Sequence, residues 1–427
     1  MEKIIITGMS IISALGNNVE ENLQSLRTNR SGIAPLHYLK TTHTEFPVGE
    51  VKMTDAEMVK LLNLSEKEPT TRTSLMGRLA VREALQNAGL LNSQLSPELN
   101  SGLNSQLSKP RIALVSGTTV GGMDMSEQFY LDFLENDTKN AYISTHDCGT
   151  CTEMIADYFG IFSQVDTIST ACSSAANAII LGAELLKSGR ADIVVAGGSE
   201  CITKFHLNGF NSLMILDQKP CRPFDATRAG INLGEGAAYI VMERENSRYE
   251  ISDMRCETSQ VSSLKSQISN PLCYLSGYAN TCDAYHQTAS APDGEGAYLA
   301  MKQALERAQL TPDQIDYINA HGTGTENNDL SEGTAIMRLF GEKIPPVSST
   351  KAFTGHTTSA AGCVEAVISI LALQHNFMPV NLNFSEKIPE LSFAPLLNQQ
   401  PDKPLKHILS NSFGFGGNDS ALIFSKI

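Results

Sequence analysis

The stretch Asp166-Thr167-Ile168-Ser169-Thr170-Ala171-Cys172-Ser173-Ser174-Ala175 decides how this chain is read. Upstream, Val165–Ser169 has the β-branched content of a short strand. Downstream, between Ser173 and Lys187, apolar residues stand at Ala175, Ala176, Ile179, Ile180, Ala183 and Leu186, the spacing of one buried helical face. Cys172 therefore falls on a strand-to-helix turn, close to the positive end of a helix dipole. Such a position favours thiolate over thiol and leaves backbone N–H groups free to hold a developing oxyanion. Cysteine is also a common small buried hydrophobe, so its remote partners in the chain decide between the two readings.

The chain has 427 residues, enough for a large core and for two fused halves. With 41% hydrophobic and 18% charged residues it reads as soluble and globular. No uninterrupted apolar run approaches the ~20 residues of a membrane helix. The start, Met1-Glu2-Lys3-Ile4-Ile5-Ile6-Thr7-Gly8, lacks the basic segment and small-residue cleavage site of a signal peptide, so a cytoplasmic protein is expected. A formal net charge of −14 argues against nonspecific nucleic-acid binding, and an acidic partner would need a local basic patch. Nine scattered cysteines do not form a disulfide framework. Cys148-Gly149-Thr150-Cys151 has redox or metal spacing, but no second such pair or zinc-spaced histidine pair accompanies it.

Strand-like and helix-like runs alternate along the chain, which predicts an α/β protein with buried central strands. The alternation repeats with similar size in both halves, suggesting an internal duplication divided as 1–250 and 251–427. The polar, serine-rich stretch Arg244–Asn270 is the natural junction. Leu-Asn-Ser-Gln-Leu-Ser occurs at 91–96 and again at 103–108, a slip duplication that an exposed loop tolerates.

Three further segments read as active-site loops, being rich in Gly, Ser and Thr after strand-like runs. They are Asn319-Ala320-His321-Gly322-Thr323-Gly324-Thr325, Ser349-Thr350-Lys351-Ala352-Phe353-Thr354-Gly355-His356, and Asn411-Ser412-Phe413-Gly414-Phe415-Gly416-Gly417. A lone loop histidine is more often structural than catalytic. Two in glycine-flanked turns, together with a cysteine elbow, are hard to dismiss.

On these four ordered motifs the chain resembles, end to end, the elongating β-ketoacyl-[acyl-carrier-protein] synthases, Cys-His-His condensing enzymes of the thiolase superfamily. Thr7-Gly8-Met9, Val195-Ala196-Gly197-Gly198-Ser199-Glu200, Arg222-Pro223-Phe224-Asp225, Gly234-Glu235-Gly236-Ala237 and Asp283-Ala284-Tyr285-His286 extend the match. The resemblance implies a duplicated thiolase fold, five-layered α-β-α-β-α with two mixed sheets, and a homodimer. It implies no cofactor, the substrates being carried on the phosphopantetheine arm of an acyl carrier protein. Cys172 would take the acyl chain from that carrier, and His321 and His356 would donate hydrogen bonds to the enolate left when a malonyl thioester loses CO₂. The backbone amides of Cys172 and Phe415 would form a second oxyanion hole. Lys351 and Glu365 would be an organising ion pair, and Phe415 a gate between acyl pocket and malonyl site. Thr288, Thr323 and Thr325 would contact the phosphopantetheine arm, Phe413 the substrate, and Arg222 the carrier protein. Arg72 and Arg228 are weaker docking candidates, and Asp329 and Glu332 structural supports.

The second histidine excludes initiating synthases, which place Asn there, and thiolases, which use a second cysteine in the final loop. A chain-length factor would lack Cys172. Ser359, Asn177, Glu326–Asp329 and Asn418-Asp419 depart from the usual spelling, leave the triad untouched and bear on the substrate. With Asp283–Ser290 they lean towards ketosynthases of aryl-polyene and related pigments. Two alternatives stand beside this reading: a non-catalytic partner subunit of a heterodimeric synthase, and a thiol-redox protein using Cys148 and Cys151.

Overall fold

The computed structural model describes residues 3–65, 67–91, 110–136, 138, 140–245, 271–399 and 404–427. The expected junction and most of the repeated hexapeptides lie outside the described residues. The strands are β1 (Ile4–Ile12), β2 (Ile112–Gly117), β3 (Gln164–Ile168), β4 (Ile193–Glu200), β5 (Gly236–Arg244), β6 (Cys273–Cys282), β7 (Tyr317–Asn319), β8 (Val347–Ser348), β9 (His407–Gly414) and β10 (Asn418–Ser425). The helices are α1 (Val19–Arg27), α2 (Asp55–Leu61), α3 (Arg72–Asn87), α4 (Met123–Glu135), α5 (Cys148–Phe159), α6 (Ser174–Lys187) and α7 (Lys204–Ser212). After them come α8 (Glu295–Ala308), α9 (Glu326–Phe340), α10 (Lys351–Thr354) and α11 (Ala361–His375).

The strands lie in the order β3-β2-β4-β5-β1-β6-β10-β9-β7-β8. Read outward from the middle, β1-β5-β4-β2-β3 and β6-β10-β9-β7-β8 follow one pattern. In each, two antiparallel pairings are followed by two parallel ones. The repeat expected from element order is thus present in strand topology. The two five-stranded mixed units are not separate sheets: Ile4–Ile6 pairs with Cys273–Leu275 and joins them edge to edge.

Helices α6 and α11 pack on each other and on strands from both units, forming the middle layer. On the outer sides lie α3 with α5, and α8 with α9. Every residue of α11 from Ala361 to Leu373 is buried, so this helix needs no polar face. The segment Thr358–His375 is long and apolar enough to cross a membrane, yet 89% of it is buried inside the protein. Glycine lets the central layers close. A Cβ on Gly362 would stand 2.6 Å from the Ala176 nitrogen, and one on Gly117 would stand 2.7 Å from that of Ala175. The start of α6, next to Cys172, is thereby pressed between β2 and α11.

Candidate active site

Strand β3 ends at Ile168 and α6 begins at Ser174, so Cys172 occupies the tight turn expected between them. Ala171 takes a left-handed conformation (φ 50°), costly for a residue with a Cβ. The turn is over-determined by hydrogen bonds. The Thr170 N–H donates to Ser174 Oγ at 2.8 Å, and Ser174 Oγ donates to the Ala171 carbonyl at 2.6 Å. Asn418 Oδ1 on β10 accepts from Ser173 Oγ, Asn177 and Asn280, and Asn177 Nδ2 also donates to Thr170 Oγ1. Asn177 and Asn418, noted only as departures in spelling, thus tie the Cys172 turn to the closing loop.

Cys172, His321 and His356 meet in one cavity of about 440 Å³, together with Thr288, Thr323, Thr325, Phe413 and Phe415. The two imidazole rings lie edge to face with centroids 5.3 Å apart. Burial, then Lys351 and the neighbouring imidazole, hold His321 well below the ordinary histidine range. Burial, Lys351 and His206 do the same for His356. Both rings are therefore neutral at physiological pH.

Their tautomers follow from what faces Nδ1. Lys351 Nζ, a donor only, stands 3.2 Å from His321 Nδ1. The Thr358 N–H stands 3.2 Å from His356 Nδ1. Each Nδ1 must accept, so the proton of each ring resides on Nε2. Lys351 is fixed in turn by the His321 carbonyl at 2.6 Å and by a short contact with Glu365, all fully buried. Burial lifts the Glu365 carboxyl to about 7 against the pull of Lys351.

Glu332 holds the first histidine loop by accepting the His321 and Gly322 N–H groups at 2.9 and 2.8 Å. Asp329 accepts from the Gly324 and Phe224 N–H groups. Both act as the supports expected.

Two expectations change, and one alternative is set aside. Burial pushes the Cys172 thiol up to about 11, outweighing Lys351 and the Phe415 N–H directed at the sulfur, so this side chain rests as a thiol rather than the thiolate its helix end suggests. Arg222 does not line the cavity. Its side chain, 15% exposed, turns inward on Asp217 at 2.8 Å and on the Thr227 carbonyl. Arg72 and Arg228 are likewise engaged inside the protein, with Glu235 and with the Thr325 and Glu326 carbonyls. Finally, burial raises Cys148 to about 11 and Cys151 higher still, which disarms the redox alternative. Among the described residues no group of His, Cys, Asp or Glu is arranged to hold a metal ion.

Sequence reasoning missed Phe210, which lines the cavity and stacks on Phe415 with centroids 5.8 Å apart. No local pattern distinguishes it from other helix-face aromatics.

Residues 1–248 match the beta-ketoacyl synthase N-terminal domain and residues 272–385 the C-terminal domain. The chain therefore belongs to the beta-ketoacyl synthase family. It is 31% identical over 446 aligned residues to 3-oxoacyl-[acyl-carrier-protein] synthase 2 of Coxiella burnetii, with all of both chains covered. It is also 31% identical to 3-oxoacyl-[acyl-carrier-protein] synthase 1 of Escherichia coli, again over the whole of both chains. Among solved structures, the ishigamide ketosynthase/chain length factor superposes with a TM-score of 0.85 at 26% identity, covering 100% of this chain and 99% of that one. The ketosynthase ApeO, solved with its chain length factor ApeC from Xenorhabdus doucetiae, gives 0.80 at 29% identity, covering 100% and 98%.

Proposed function

We propose that this chain is a 3-oxoacyl-[acyl-carrier-protein] synthase that joins an acyl chain to a malonyl unit by decarboxylative Claisen condensation. The observation that carries the proposal is the meeting of one thiol and two neutral imidazoles, each with its proton on Nε2, in a single cavity.

In this reading Cys172 sulfur attacks the carrier-bound thioester carbonyl. The new C–S bond forms, the carrier sulfur leaves and takes the thiol proton, and the Phe415 and Cys172 amides hold the passing oxyanion. The malonyl thioester then enters. Its bond to the carboxylate breaks, CO₂ departs, and the electron pair forms an enolate whose oxygen accepts from the Nε2–H groups of His321 and His356. The enolate carbon attacks the acyl carbonyl on Cys172, the new C–C bond forms, and the C–S bond breaks to expel the thiolate, which takes a proton from solvent water. Neither histidine need surrender its proton, which suits rings held neutral by burial.

The test separates the two half-reactions. Cys172→Ala should abolish the acyl adduct and the condensation. Cys172→Gln should retain malonyl decarboxylation, because the amide imitates an acylated cysteine beside both imidazoles. A stable acyl adduct on another cysteine sinks the assignment.

Finer statements rest on narrower observations. For the substrate, the stacked Phe210–Phe415 rings give the cavity a flat wall that suits a conjugated, aryl-primed chain. Competition between dienoyl and saturated carrier proteins of equal length, read as kcat/KM, decides between this and ordinary fatty-acid elongation. For assembly, none of the residues of α4 is buried, Tyr130, Leu131 and Phe133 stand out from it, and β3 is a sheet edge. A second copy of the chain covers this face in our reading, with a related chain-length factor as the alternative. The mass of the purified chain in solution distinguishes them. We divide the chain near residue 250 into two thiolase-like halves, supported by the repeated strand order. The eight described cysteines, all unpaired, suit the reducing cytoplasm.

A further inference from the structure

Helix α7 carries Phe210, and its first turn is held from outside. The Thr203 hydroxyl accepts from the His206 N–H at 3.1 Å as the usual cap. Two more of its free amides, Lys204 N and Phe205 N, donate to the two oxygens of one carboxylate at 2.9 and 2.6 Å. That carboxylate is Glu127, on α4. A helix start leaves four N–H groups without partners, and an anion there is favoured by the dipole as well.

What this clamp controls is legible from the rings. Phe210 lies about a turn and a half beyond the clamped amides on a nine-residue helix, too short to bend independently of its start. It stacks on Phe415, and the Phe415 N–H meets the Cys172 sulfur. Between clamp and ring, His206 is buried and lies close enough to depress His356. A shift at the start of α7 therefore reaches the wall of the cavity and the loop that closes over the thiol.

We propose that Glu127 is a positioning residue for acyl entry: by clamping the start of α7 it sets the Phe210–Phe415 stack, and with it the access of long acyl chains to Cys172. This rests on the synthase reading given above. It adds a link to the cavity from α4, the helix whose apolar side chains Tyr130, Leu131 and Phe133 are exposed in the single chain.

The experiment compares half-reactions in Glu127→Ala and Glu127→Gln. Acyl transfer to Cys172 is followed by intact mass with four-carbon and twelve-carbon acyl carrier proteins, and malonyl decarboxylation is measured in the Cys172→Gln background. The expected result for Glu127→Ala is a loss of about tenfold in transfer of the longer chain. The shorter chain and decarboxylation should stay within about twofold. Glu127→Gln, which keeps one acceptor oxygen, should show a smaller loss in the same direction, and it carries the test alone where the alanine variant does not fold. Equal loss in both half-reactions, or an unchanged chain-length profile in both variants, overturns the proposal. Absence of any adduct on Cys172 in the unmutated protein would instead overturn the synthase reading.

Discussion

Replacing Lys351 by Met tests whether that residue organises His321 or merely stabilises the core. The single variant leaves the Glu365 carboxyl and the His321 carbonyl buried without their partner. Removing one member of a buried ion pair costs about 3–5 kcal/mol. The catalytic effect is separate and comes from His321 Nδ1, which loses the donor that keeps its proton on Nε2. A hydrogen bond from a charged donor is worth about 1.5–3 kcal/mol, or about 10- to 150-fold in rate if all of it biases the tautomer. The double variant Lys351→Met with Glu365→Met removes both charges together and should regain most of the lost stability. It should not regain the rate. The assay is CO₂ release from malonyl carrier protein in the Cys172→Gln background, beside denaturant unfolding of the same samples. A stable double variant that decarboxylates at the parental rate would falsify the tautomer argument and leave Lys351 a purely structural residue.

Alkylation of Cys172 by iodoacetamide should quicken about tenfold per pH unit between pH 7 and 9 with no plateau, since a thiol at about 11 is ionised in roughly one molecule in ten thousand at pH 7. A plateau below pH 8, read by intact mass, contradicts the burial argument. Asp419→Asn should flatten the pH dependence of stability: burial, then Asp283 and Glu332, raise this carboxyl to about 8. Its contribution is complete below about pH 4 and lost as pH rises through 8, so the variant should gain on the parent with rising pH, by at most about 6 kcal/mol. Equal Tm profiles for both proteins refute it. Lys219→Glu, on an exposed side chain beside Arg222, should raise the KM for carrier-protein substrates but not for pantetheine-length mimics. Arg222→Glu should lower the Tm by setting a second carboxylate against Asp217, and a pure KM effect without loss of stability restores Arg222 as the docking residue.

Much of the site was legible because its chemistry is local. The turn at Cys172 needs small residues flanking the thiol, and each histidine sits in a turn with positive-φ glycines at Gly322 and Gly355. These constraints act between residues close in the chain, so they leave a spelling that can be read without coordinates. Strand alternation likewise announced the duplication, because a buried strand must be apolar wherever it pairs.

What the chain could not reveal alone was environment. The helix end beneath Cys172 favours a thiolate, and only the packed layers around it show that desolvation wins. Arg222 looks free in sequence, yet folding turns it onto Asp217, a choice made by charges that meet in space. Ser359, noted only as a missing glycine, donates to the buried Glu200 carboxylate 159 positions away. The short bridge from β1 to β6, which merges the two units into one sheet, depends on edge contact between halves that no local period encodes. Residue types and spacings therefore marked which groups meet in the cavity. Tertiary packing decided their protonation, their tautomers and which charges remain exposed, because dielectric and partner distance belong to the folded chain.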